Sequence, residues 1–144
     1  MKSREISPYT RQAYYYETDK MGIVHHSNYV RWLEEARIHM LSELKYPFEK
    51  IEQQGLMIPV LSVSFKYKYP VRFGETFEIQ PIVTFFDGCK MTVEYSVINK
   101  TAGKLSAICK TEHCFTNENM RPIRTQKHHK DMYELFLDSI DKFE

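Results

Sequence analysis

What the sequence withholds narrows its class. Charge of one sign is missing: 20 basic against 19 acidic residues leave a formal net charge of +1. There is no global field of the kind that draws nucleic acid, and any anionic ligand must be gripped locally. Long apolar runs are missing too. No stretch approaches the roughly 20 residues a membrane helix needs, and the opening MKSREISPYT lacks the apolar segment of a secretion signal. The expectation is a cytoplasmic protein without membrane insertion. Cysteine is scarce: Cys89, Cys109 and Cys114 are odd in number and form no CxxC spacing. That argues against a disulfide framework or zinc knuckle and for buried or half-buried free thiols. His25-His26, His113-Cys114 and His128-His129 are adjacent pairs whose members point apart on a strand or helix, and no ligand spacing recurs, so no metal site is expected. Repeats and low-complexity tracts are also absent. The 144 residues make one domain, 1–144, with chain enough for a core.

What is present is a sequence of clear periodicities. The tyrosine-rich run from Pro8 to Glu17 suits a strand covered by aromatics on both faces. A helix of roughly 17 residues follows, about 25 Å long, with Tyr29, Trp32, Leu33, Ala36, Met40, Leu41 and Leu44 on one face. Ser27 or Asn28 is the expected N-cap, and Tyr46-Pro47 the stop. A short further helical turn ends at Gly55. Period-two alternation then begins: Leu61, Val63, Phe65, Tyr67 and Tyr69 make one strand face, and Phe77, Ile79, Pro81, Val83 and Phe85 the next. Asp87-Gly88 is a hairpin turn, followed by Met91, Val93, Tyr95 and Val97. Asn99 to Gly103 turns the chain into Leu105, Ala107, Cys109, Thr111, His113 and Phe115. The strands read as an antiparallel meander. After a basic linker, Arg124 to Lys130, an amphipathic helix closes the chain with Met132, Tyr133, Phe136, Ile140 and Phe143 as its stripe. The class is α+β, an antiparallel sheet wrapped about one long central helix, with a C-terminal helix. Such a sheet keeps open edges and one subunit does not fully enclose the helix, so self-association is expected.

The stretch from Tyr14 to Arg37, YYYETDKMGIVHHSNYVRWLEEAR, organises the rest. It places a carboxylate, Asp19, and the imidazoles of His25 and His26 on the connection into a buried helix. Backbone N–H groups at a helix N-terminus stabilise negative charge. A carbonyl held there is polarised, and the oxyanion formed on attack is stabilised. Asp19 is then a candidate nucleophile or a base that activates water, and the residues leave both roles open. Gly22 supplies a backbone conformation denied to other residues, or a close approach to substrate.

The pattern Y-x-x-x-D-x-x-G-x-V-x-H-x-N-Y, running from Tyr15 to Tyr29, and the R-W-L-E-x-A-R that follows from Arg31 resemble the signature of hotdog-fold acyl-CoA thioesterases of the 4-hydroxybenzoyl-CoA thioesterase type. They are most similar to the small bacterial subgroup associated with the Tol-Pal system. The resemblance implies a hotdog fold, hydrolysis of acyl-CoA without a cofactor, and homodimers often paired into tetramers with active sites between subunits. It puts Asp19 at the catalytic carboxylate, His26 at an assisting histidine whose backbone N–H serves the oxyanion hole, and Tyr15 at an orienting tyrosine. Asn28 and Tyr29 match the Asn-Tyr that opens the family's helix. For the coenzyme phosphates the candidate cations are Lys66, Lys68 and Arg72, with Arg121 and Arg124 further on. An acyl-carrier-protein thioesterase and a non-catalytic acyl-CoA-binding hotdog protein are the alternatives.

Overall fold

The computed structural model describes residues 1–141. After a 3-10 turn at Ser3–Glu5, the elements are β1 (Tyr9–Gln12), a second 3-10 turn (Tyr15–Glu17), α1 (Ser27–Glu43), α2 (Phe48–Gln53), β2 (Val60–Tyr67), β3 (Thr76–Phe86), β4 (Lys90–Asn99), β5 (Lys104–Cys114), α3 (Thr125–His128) and α4 (Lys130–Ser139). The five strands form one sheet in the order β1-β3-β4-β5-β2, antiparallel throughout. The long helix packs across it with the face its spacing predicts: Tyr29, Trp32, Leu33, Ala36, Met40 and Leu41 are buried. The Trp32 indole stacks on Phe77 of β3 with ring centroids 3.7 Å apart. Met132 and Phe136 bury the inner stripe of α4, with Tyr133 and Ile140 packed beside them. Phe143, the last residue of the expected stripe, lies outside the described residues. No helix among the described residues is long and apolar enough to cross a membrane.

Several expectations need correction. The tyrosine run is not one strand: β1 ends at Gln12, and Tyr14, Tyr15 and Tyr16 are 45%, 77% and 74% exposed around the second 3-10 turn. A buried Glu17 draws the chain out of the sheet there, because its carboxylate accepts the Tyr14 N–H (2.8 Å) and closes the turn. The meander holds only for β3-β4-β5. β2 crosses over and pairs with β5, from Val60 opposite His113 to Tyr67 opposite Ala107, which makes it an edge. Its apolar residues are consequently open, with Leu61 55%, Val63 38% and Tyr67 51% exposed. In β3 a bulge between Val83 and Phe85 advances the pleat by one residue, turning Phe85 outward and Phe86 into the core. A second irregularity, between Val97 and Ile98, leaves Leu105 at the surface. The Asp87-Gly88 hairpin stands as expected: Gly88 has φ +97°, and Asp87 Oδ1 accepts the N–H groups of Cys89 and Lys90.

Under the sheet runs a buried polar chain. The Tyr95 hydroxyl and the Thr111 hydroxyl are 2.8 Å apart, and His113 Nε2 lies 2.7 Å from Thr111 Oγ1. His113 Nδ1 has no hydrogen-bond partner among the described residues. Burial, with Arg37 nearby, pushes this imidazole down to about 3, so it is neutral at ordinary pH.

Candidate active site at the start of the central helix

The loop from Thr18 to His25 is held at both ends. Asp19 N–H donates to the Ile23 carbonyl (2.8 Å) and Gly22 N–H to the Asp19 carbonyl (3.0 Å). Asp19 Oδ1 accepts from Met21 N–H (2.8 Å) and Ile23 N–H (3.3 Å). Gly22 adopts φ +74° with open space where a Cβ would stand, so conformation rather than crowding demands glycine. The Gly22 carbonyl accepts the Phe73 N–H, and the Val71 carbonyl accepts the Val24 N–H, fastening the loop to the stretch that leads into β3.

Neither Ser27 nor Asn28 caps α1. His26, with φ −58° and ψ −27°, is the N-cap and its side chain makes no capping bond. The imidazole of His25 supplies one instead: its Nδ1 accepts the Ser27 N–H (3.2 Å) and lies 2.8 Å from Ser27 Oγ. Asn28 is buried and reaches backward, its Nδ2 donating to the carbonyls of Glu17 and His25. The N–H groups of Asn28 and Tyr29 donate to the His25 and His26 carbonyls. The His26 N–H is left without an acceptor among the described residues, an open donor at the positive end of a 17-residue helix.

A cleft of about 440 Å³ opens at this point. Asp19, Ile23, Val24, His25, His26 and Tyr29 line one side, and Tyr67, Lys68, Tyr69 and Pro70, from the end of β2, the other. Asp19 is exposed to it, and its Oδ2 makes no hydrogen bond among the described residues. Tyr29 is 3% exposed, stacked on Trp32 and edge-on to Phe65 and Tyr67, and burial pushes its phenol up to about 12. It is a wall, not an acid. A second groove, about 400 Å³ and mostly apolar, continues along α1 from Val30 and Leu33 to Ile38, walled by Phe48, Leu56 and Val63.

The fold therefore brings Asp19, His26 and Tyr29 to one cleft. Gly22 and Asn28 sit just behind it and shape the loop. Tyr15 does not line it: its ring lies edge-on to Phe73, centroids 5.5 Å apart, and is open to solvent. Among the candidate cations Lys68 lines the cleft, whereas Lys66 and Arg72 lie outside it. Among the described residues no group of three or more His, Cys, Asp or Glu side chains comes together to hold a metal ion.

Glu17 is the residue the sequence reading passed over. It is 3% exposed, and its carboxylate accepts from Arg11 Nη1 and Nη2, Trp32 Nε1 and the Tyr14 N–H, at 2.8–3.0 Å. Burial alone raises a carboxyl, but these donors outweigh it and hold Glu17 below the usual range. Arg11 spans on to Glu35, to which Tyr9 also donates. The Glu17 carbonyl receives the N–H of His25 and the amide of Asn28, so this buried acid fixes the turn on which Asp19 and the helix start are mounted. A sign was present: one acid in an aromatic run, with a single Trp in the chain to meet it.

The chain is similar in sequence and fold to known proteins. The family profile described as Thioesterase-like superfamily matches residues 15–133. YneP of Bacillus subtilis (strain 168), provisionally named an acyl-CoA thioesterase, is 32% identical over 123 residues, 85% of this chain and 88% of that one. The acyl-CoA thioester hydrolase YbgC of Escherichia coli O157:H7 is 27% identical over 88 residues, 61% of this chain and 66% of YbgC. The crystal structure of a DHNA-CoA thioesterase from Staphylococcus aureus superposes with a TM-score of 0.87 at 29% identity, covering 92% of this chain and 89% of the other. These likenesses reach the superfamily and do not single out the Tol-Pal-associated subgroup. With the profile spanning most of the chain and the sheet packed across one long helix, the protein belongs to the thioesterase-like superfamily of hotdog-fold proteins.

Proposed function

We propose that this protein hydrolyses acyl-CoA thioesters in the cleft at the start of α1. One observation carries the reading: Asp19, with one carboxylate oxygen unbonded, and His26, whose backbone N–H has no acceptor among the described residues, line the same cleft. The thioester carbonyl oxygen rests on the His26 N–H and the helix end, where charge developing on attack is stabilised. Asp19 Oδ2 either takes a proton from the attacking water or attacks the carbonyl carbon itself to give a mixed anhydride that water then opens. The names of the similar proteins, acyl-CoA thioesterases and thioester hydrolases, support the substrate class. Lys68 at the cleft rim is suited to a coenzyme phosphate, and the apolar groove along α1 to the acyl arm. Asp19→Asn retains the Oδ1 acceptor of the loop and removes the charge. Assayed by thiol release from a panel of acyl-CoA substrates, it should lose turnover with the fold intact; near-normal hydrolysis would remove Asp19 from the mechanism.

The working unit of this reading is a homodimer formed through β2. That strand combines an unpaired backbone edge with open Leu61, Val63 and Tyr67, and Val30 and Ile38 of α1 are 47% and 38% exposed beside the same groove. A second copy is the partner such an edge selects, since an isologous contact pairs like with like. Light scattering on the wild type should give twice the chain mass or a multiple of it, and Leu61→Lys with Val63→Glu should give the monomer. A monomeric wild type at micromolar concentration would exclude the dimer.

A further inference from the structure

Two of the three cysteines are neighbours. Cys89, in the β3–β4 hairpin, and Cys114, the last residue of β5, place their sulfurs 3.6 Å apart as free thiols. The backbone holds them there: the Phe115 N–H donates to the Cys89 carbonyl at 2.7 Å, and Lys90 is in register with Cys114. Closing to a bonded pair needs about 1.5 Å of side-chain movement, given an S–S length of about 2.05 Å. Cys89 is half-buried and lines a cleft of about 420 Å³ with Asp87, Lys90, Pro122, Ile123, Arg124 and Gln126. Cys114 sits behind it, buried. Of the two sulfurs, the one on the cleft is therefore the more open to solvent and the other the more enclosed. Lys90 and Arg124 line this cleft against the one carboxylate of Asp87, an excess of cations that suits an anionic small molecule. Cys109 has none of this: it is buried on β5 without a cleft, and burial pushes its thiol up to about 12.

We infer that Cys89 and Cys114 form a dithiol modification site, with Cys89 the attacking and Cys114 the resolving thiol toward an anionic low-molecular-weight disulfide. Cys89 as thiolate attacks one sulfur of the small disulfide, forming a mixed disulfide and expelling one thiolate, which takes up the proton Cys89 released. Cys114 then loses its proton and attacks Cys89 Sγ. The bond to the small molecule breaks and a second thiol leaves. The two protein thiols are oxidised to one disulfide, and the small disulfide is reduced to two thiols. The site lies outside the cleft at the start of α1, so its test is independent of the thioesterase reading.

Oxidised glutathione is the probe. Thiol titration of the treated wild type should fall from three to one per chain, with a Cys89–Cys114 cross-linked peptide by mass spectrometry, no retained glutathione, and full recovery in dithiothreitol. Cys114→Ser should trap one glutathione on Cys89. In Cys89→Ser the Cys114 thiol should react at least ten-fold more slowly, and circular dichroism reports whether either variant keeps the fold. Three thiols remaining in the wild type, a glutathione adduct persisting on it without the cross-link, or a covalent dimer joined between chains would each overturn the assignment.

Discussion

Glu17 and Asp19 are the same functional group two residues apart, and the structure treats them in opposite ways. Glu17 is buried and saturated by four donors, from Arg11 twice, Trp32 and the Tyr14 backbone. Asp19 is exposed and lines the cleft, with one oxygen occupied by two backbone N–H groups and the other unbonded among the described residues. A carboxylate with every lone pair engaged has none to offer a substrate, and moving it would cost the half-buried Arg11 guanidinium one of its two carboxylate partners. A carboxylate tethered through one oxygen is oriented and still available. The difference teaches that acids in a candidate site are sorted by donor count rather than by sequence proximity to the helix. The saturated one fixes the frame in which the open one works.

Exchanging charge for amide at each acid breaks the comparison most directly. Asp19→Asn should lower turnover by about 10²–10⁴-fold, the usual span for a lost acid–base group, while unfolding free energy moves by less than about 0.5 kcal/mol. Glu17→Gln should invert the pattern in chemical denaturation, costing about 3 kcal/mol of stability because the pair it breaks is mostly withdrawn from water. Any loss of activity should then track the folded fraction and the loosened loop. If Glu17→Gln is as stable as the wild type, the frame is not built on this acid. Acid titration sharpens the contrast further. Glu17 is held below its ordinary value of 4.5, so its contribution is full above that pH and fades as pH falls below it. His113 is pushed from 6.5 to about 3, so the unfolded chain binds a proton the folded chain refuses. Stability should therefore begin to fall below pH 6.5, at up to about 1.4 kcal/mol per pH unit from this group. His113→Leu should flatten the profile between pH 6.5 and 4.5 and leave the Glu17 part below it. A wild-type melting temperature independent of pH from 7 to 5 would remove His113 as the cause.

Elements are most legible in the sequence where their periodicity is local. The buried face of α1, the alternation of β4 and the Asp87-Gly88 turn all follow from neighbours in the chain, and each stands in the structure. The placement of Asp19 and His26 together at the start of α1 is legible for the same reason, since the loop and helix that carry them are contiguous. What escaped depends on long-range geometry. Nothing in the alternation of Leu61 to Tyr69 says that the strand lies at an edge, because exposure is decided by which strand it meets. The bulge after Val83 adds one residue without a turn signal of its own. The tyrosine run read as a strand because aromatics favour sheets, but the ties from Glu17 to Arg11 and Trp32 override that propensity. The capping bond comes from His25, whose ring accepts the Ser27 N–H, while the Ser27 hydroxyl lies against that same ring and the Asn28 amide reaches back to the Glu17 carbonyl.

The crossover that carries β2 to the far side of the sheet also has a kinetic meaning. β3, β4 and β5 close through short turns, whereas β2 must wait for β5, with Val60 opposite His113. Loop closure over such a separation is slow compared with hairpin formation, so β2 is expected to join the sheet only after β3, β4 and β5 have paired during refolding. Pulse-labelled hydrogen exchange should find its amides protected after those of β4. Tyr67, Lys68 and Tyr69, which complete one wall of the cleft, are delivered only with that step. A chain halted just before it would own the open acid and the helix end but nowhere to hold a thioester.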